Sequence, residues 1–198
     1  MDINKYKREK RTFSGNTRDR RTLPEIISSK ENAINYMTEY IKDEHLSTLV
    51  RDIMEQSVPD YFWEKASSSS GKYHPFDERG KFGLVLHTCR VVKVTNDLCV
   101  AAQITGKERD NLICAAILHD ALKYGDPSKE LRHTTKDHSN LVEKFIPAVP
   151  GDIIRMIRTH DGQWSVNPNE WNNASESQRL LHYADYLASR SHTHIRIP

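Results

Sequence analysis

Apolar residues return along most of this chain at the three- and four-residue spacing of a helix, with no convincing two-residue alternation of a half-buried strand. Ala33, Ile34, Met37, Tyr40 and Ile41 predict a first helix, opened by the capping-box pair Ser28 and Glu31. Leu46, Leu49, Val50, Ile53 and Met54 predict a second, and Pro59 opens a short third through Tyr61, Phe62 and Trp63. The run from Ser67 to Gly71 breaks it, and Lys72 to Gly83, with Pro75, Gly80 and Gly83, reads as a loop. From Leu84 to Ile104, Leu84, Val91, Leu98 and Ala102 share one face with Thr88 and Thr95, and Gly106 ends the helix. A further helix is predicted from about Lys107 to Lys123, and others near 137–146, 151–160 and 175–190, the last with Ser175 and Gln178 as a capping box. No repeat is present. The fold class is all-α: one helical domain over residues 25–198, preceded by an extended or flexible lead-in over residues 1–24 that has no apolar period.

Composition narrows this. A chain of 198 residues with 37% hydrophobic and 28% charged residues suits one globular core. No apolar run approaches the roughly 20 residues of a spanning helix, and the charged N-terminus is unlike a signal peptide, so a cytoplasmic protein without a membrane partner is expected. Cys89, Cys99 and Cys114 are odd in number, lack the spacing of metal-binding pairs and fall in apolar helical stretches, which predicts buried free thiols. Residues 5–21 carry eight Lys or Arg side chains against Glu9 and Asp19. Such an arm is either a solvated terminus or a contact for nucleic-acid phosphates, and it has almost no interleaved aromatic residues to stack on bases.

The candidate chemistry lies where polar side chains interrupt apolar faces. His87 sits at the edge of the Leu84–Val91 stripe. His119 follows Leu112, Ala115 and Ala116 at helical spacing, and Asp120 adjoins it; His138 precedes Leu141, Val142 and Phe145; His160 follows Ile153 and Ile157; Asp185 lies between Leu181 and Ala188. Six ligand-capable side chains are thus predicted to face inward from five helices. A single histidine so placed is ordinarily a hydrogen-bonded core residue. Buried carboxylates, however, need a cation or several donors, and imidazole with carboxylate suits iron, manganese, zinc or cobalt.

The order His87, then His119–Asp120, then Asp185 resembles the defining pattern of the HD superfamily of metal-dependent phosphohydrolases, and His138 and His160 match the extra ligands of members that hold two metals. AAILHDALK around the His-Asp pair, GLVLHTCRVV around His87 and LLHYADYLASR around Asp185 are similar to segments of HD-domain exoribonucleases and related bacterial and phage proteins, over about residues 70–190. Those exonucleases carry an oligonucleotide-binding barrel ahead of the HD region, whereas the preceding residues here read as helix.

The resemblance implies a hydrolase with one or two divalent ions among iron, manganese, zinc, cobalt, nickel and magnesium. His87, His119, Asp120 and Asp185 would hold the first ion and His138 and His160 the second, with Asp120 bridging and a metal-activated water attacking phosphorus. Lys123, one helical turn after His119 and matching the Lys of the family motif, would complete the clamp on the phosphate. Arg90, Arg158, Lys72 and Lys81, with His74 on the same loop, are the candidates for substrate contact, and Asp161 for orienting an imidazole. His133, His182, His192 and His194 are not expected to be ligands. The reading is a hydrolase of a nucleotide phosphate ester or anhydride, of nucleotidase or deoxynucleoside triphosphohydrolase type. Its alternatives are a 3′–5′ nuclease or phosphodiesterase using the arm at residues 5–21, and a non-catalytic nucleotide-binding HD protein.

Overall fold

In chain order the helices are α1 (Lys30–Thr38), α2 (Glu44–Gln56), α3 (Tyr61–Glu64), α4 (Gly83–Ala101), α5 (Gly106–Leu118), α6 (His138–Phe145), α7 (Gly151–Arg158), α8 (Pro168–Asn172) and α9 (Glu176–Ala188), with 3₁₀ turns at Phe76–Glu78 and Gly162–Trp164. This is a computed structural model that describes residues 28–129, 133–195 and 197; the arm at residues 1–24 lies outside them. No strand occurs among the described residues, in agreement with the all-α reading. None of these helices is long and apolar enough to cross a membrane.

The axis of the molecule is α4, flanked by α5 and α9 and covered by α1 and α3. Residues 110–118 of α5 are buried on every face, and the small side chains of Cys114, Ala115 and Ala116 let α4 and α7 approach it closely. Met37, Met54, Phe62, Leu84, Leu86, Leu112 and Ile117 fill the space between, fully enclosed. Each such side chain contributes roughly 1.5–3 kcal/mol by leaving water. The three cysteines are free and buried.

Several boundaries differ from the expected ones, each for a local reason. The cap of α1 is Ser29, whose hydroxyl accepts the Asn32 N–H, rather than Ser28, and the helix stops at Thr38 before Tyr40 and Ile41. At the end of α4, Gln103 turns to φ +57, the Ile104 N–H returns to the Cys99 carbonyl and the Gln103 N–H to Val100. This Schellman closure ends the helix at Ala101, so Gly106 opens α5 instead of closing α4. Beyond Leu118, N–H groups bond three residues back, Ala121 to Leu118 and Lys123 to Asp120, so α5 gives way to turns rather than reaching Lys123. The short helix α8, with Pro168 in its first turn, was not expected. Ser175 and Gln178 do form the predicted capping box of α9.

Candidate metal centre

Three histidines are oriented by one repeated device. His119, His138 and His160 each donate Nδ1–H to the carbonyl three residues earlier, of Ala116 (2.8 Å), Thr135 (2.8 Å) and Ile157 (2.7 Å). A carbonyl only accepts, so the neutral ring carries its proton on Nδ1 and leaves the Nε2 lone pair free. His138 opens α6, whereas His119 and His160 stand in turns just past α5 and α7, not on the helices themselves. Those two helix C-termini, with their partial negative charge, favour a cation at the same place.

The Nε2 atoms converge on Asp120, which divides the centre in two. Its Oδ1 lies 3.0 Å from His138 Nε2 and 3.5 Å from His160 Nε2, and those nitrogens are 3.1 Å apart. Its Oδ2 lies 3.4 Å from His119 Nε2 and 3.9 Å from His87 Nε2. Asp185, from α9, completes the second half, with Oδ1 3.0 Å from His87 Nε2 and 3.8 Å from His119 Nε2. All six predicted ligand-type residues are therefore brought together. Among the described residues His133, His192 and His194 join none of the ligand clusters.

Charge in this centre is strongly coupled. Burial acts to neutralise Asp120, but the Lys123 charge and the His119 and His138 imidazoles that face it hold its carboxyl well below the usual range. Asp185 is likewise lowered: burial opposes ionisation, and the His87 hydrogen bond with the His119 and His87 charges outweighs it. Burial disfavours a proton on His87, yet Glu78 and Asp185 on either side raise it to about 10. His160 is raised to about 9, burial being overcome by Asp161 and Asp120, whereas burial and the Lys123 charge lower His138. The carboxylates thus demand positive charge between them, which protons on His87 and His160 or a metal cation can supply.

The expected substrate contacts are less concentrated. The Lys123 Nζ lies 2.9 Å from Asp120 Oδ1 and borders the cavity over the centre. Arg90 does not reach that mouth: its guanidinium is held behind His87 by Asp77 (2.7 Å) and Glu78 (2.5 Å). Arg158 is paired with Glu170 (2.6 Å) and Glu143 (3.3 Å) on the outside of α7. Lys72 and Lys81 are exposed, lie over the Tyr73 and Phe82 rings, and do not line the cavity. Asp161 does line it, 3.7 Å from His160 Nε2 and 3.8 Å from His138 Nε2.

Four features escaped the sequence. Glu78 is fully buried, lies 3.4 Å from His87 Nδ1 and receives His74 Nδ1–H at 2.8 Å. Burial works against its charge, but His87, His74 and Arg90 bring its carboxyl down to about 2. His182 donates Nδ1–H to the His160 carbonyl at 2.8 Å, and Arg190 borders the cavity, as does an aromatic group from Tyr73, Trp164 and Tyr186. A lone Glu within a Pro- and Gly-rich loop, and aromatic residues on otherwise polar faces, carry no period that marks them.

The donor set fits a divalent cation. Among the buried side-chain atoms, His119 Nε2 and Asp120 Oδ2 have no hydrogen-bond partner, and both point into the His87–His119–Asp120 cluster. Unsatisfied lone pairs in a dry site are costly unless a cation takes them. Asp120, His138 and His160 form a further cluster of ligand-type atoms within 4.8 Å of one another. The family whose model matches is the HD domain, over residues 84–190, more than half of the chain. No curated protein and no solved structure matches it significantly.

Proposed function

Because this chain belongs to the HD domain family, whose members are in general metal-dependent phosphohydrolases, we propose that it hydrolyses a phosphate ester or anhydride of a nucleotide. The observation that carries this reading is the division of Asp120, whose two oxygens address two separate sets of imidazoles. His87, His119, Asp185 and Oδ2 of Asp120 would hold one ion, and His138, His160 and Oδ1 the other. When bound, the ions supply an activated water and neutralise charge on the phosphoryl oxygens.

The remaining side chains position and exclude. Lys123, through its 2.9 Å contact, keeps Oδ1 of Asp120 in place and offers its remaining N–H groups to phosphate oxygens at the cavity edge. Asp161 faces the same edge and can accept a proton near the His138–His160 pair. Glu78 orients His87 from behind. Aromatic side chains on the same cavity wall favour a nucleotide over other phosphate esters.

The test is elemental analysis of the purified protein alongside a phosphate-release screen over nucleoside mono-, di- and triphosphates with added manganese. One or two metals per chain and turnover of one nucleotide class are expected, with Asp120→Ala abolishing turnover. Undiminished turnover in that variant would sink the assignment, and tight nucleotide binding without turnover under any metal would favour a non-catalytic binding protein.

A further inference from the structure

We propose that the outer wall of this cavity is a stacking subsite that requires a nucleobase without selecting which one; the proposal rests on the nucleotide reading above. The cavity, about 880 Å³, falls within the roughly 300–1,000 Å³ of sites that enclose one small ligand. Lys123, Asp161 and Asp185 border it at the metal centre, and Tyr73, Trp164, Tyr183 and Tyr186 border it farther out. These are the most exposed tyrosines and tryptophan among the described residues: Trp164 is 62% exposed, Tyr73 and Tyr183 54%, Tyr186 40%. Four exposed rings gathered on one wall, while Phe62 and Trp63 pack inward, are misplaced as core and suited to a flat ligand.

The rings are held ready. Trp164 and Tyr186 lie parallel within 2°, their centroids 6.4 Å apart. The Arg190 guanidinium lies 3.8 Å from the Tyr186 ring centroid and 5.1 Å from that of Tyr73, and the Ser191 N–H ties this end of the chain to the Tyr73 carbonyl at 2.9 Å. Among the described residues no carboxylate pairs with Arg190, so its edge is available to acceptor atoms of a bound molecule. Wall and metal centre are also joined: Asp185 and Tyr186 are adjacent on α9, and His182, beneath Trp164 and Trp171, bonds to the His160 carbonyl. A base on the wall is thereby set at a fixed offset from a phosphate at the centre.

Selection among bases would need buried polar groups that the wrong base leaves unpaired. Gln163 and the exposed tyrosines on this wall are in solvent, His182, which is buried, uses Nδ1 on a main-chain carbonyl, and the Arg190 guanidinium only donates, to acceptor atoms that every base carries. Stacking is what remains, and every base has a π-face.

The experiment is calorimetric titration of the full metal-bound protein with the 5′-methylenephosphonate analogues of AMP, GMP, CMP and UMP and with the matching baseless ribose analogue. In these a P–C bond replaces the scissile P–O bond, so binding is read without turnover. The four nucleotide analogues should bind within several-fold of one another and roughly 5- to 150-fold more tightly than the ribose analogue. Trp164→Ala should collapse that gap and Trp164→Phe restore much of it. Equal binding of the ribose analogue, an undiminished gap in Trp164→Ala, or one base preferred by more than tenfold would overturn the proposal. Failure of phosphate release with the gap intact would instead remove only the hydrolase reading.

Discussion

Glu78 lies 3.4 Å from Nδ1 of His87, on the opposite side of the ring from the Asp185 oxygen that sits 3.0 Å from Nε2. A carboxylate behind a ligating imidazole fixes the ring and raises the basicity of the nitrogen that faces the metal. Glu78 is itself anchored by Arg90 at 2.5 Å and His74 at 2.8 Å, so the orientation passes through three side chains to the turn at Phe76–Glu78. Glu78→Gln should therefore weaken metal affinity by about 10- to 100-fold while leaving the helical content unchanged. Competition against a chromophoric chelator reads this directly, and an unchanged affinity would mean that His87 is oriented without Glu78.

The position of Glu78 depends in turn on Gly83. A Cβ at residue 83 would come within 2.0 Å of the Glu78 carbonyl oxygen and 2.6 Å of its carbonyl carbon, both main-chain atoms that cannot swing aside. Gly83→Ala should displace the 76–78 turn and cost several kcal/mol, toward the upper end for a single substitution. A lowered thermal midpoint together with weakened metal binding is the expected pair of results. A variant as stable as the parent would show that the turn can yield.

These two residues mark where sequence reading stops. The six side chains of the centre were legible because each interrupts an apolar face whose period predicts its direction, and the helices that carry or deliver them were placed to within a few residues, α5 excepted. That His119, Asp120 and His160 stand in turns was not legible, since the bonds that end the helices there are made three residues back and leave no compositional trace. Glu78 and His74 come from a loop without period, and the place of Glu78 depends on a close approach of its main chain to Gly83. The basic residues Arg90 and Arg158 were visible, but not their carboxylate partners Asp77 and Glu170, which the fold supplies from elsewhere in the chain.

Metal occupancy should be a large part of the native stability. The centre gathers two carboxylates and four imidazoles in a buried site, so a cation that binds the folded chain stabilises it by about 2.7 kcal/mol at a hundredfold excess over its dissociation constant. For a chain of this size that is a rise in midpoint of roughly 5–11 °C. Stripping the protein with a chelator should lower the midpoint by about that much and manganese should restore it. In Asp120→Ala, which removes an oxygen from each half of the centre, the response to manganese should be lost even if the midpoint without metal is unchanged or raised. A full response in that variant would place the cation elsewhere.

The cysteines make a prediction about the body of the fold rather than its site. Burial pushes the Cys89 thiol up to about 12 and the Cys99 thiol up to about 11, and it raises Cys114 as well. Only the thiolate reacts, so at pH 8 a chromogenic disulfide reagent should label none of the three in the native protein and all three after unfolding in denaturant. The same shifts fix a sign. Above about pH 9 the unfolded chain has lost thiol protons that the folded chain retains, so the cysteines contribute stability below that pH that is lost as pH climbs toward 11 and 12. Replacing Cys89 by Ala should flatten the alkaline limb of the stability curve, at a cost from the space left between α4 and its neighbours. Rapid native labelling of Cys89 would instead reveal that α4, the helix that carries His87, opens locally from its place against α5 and α9.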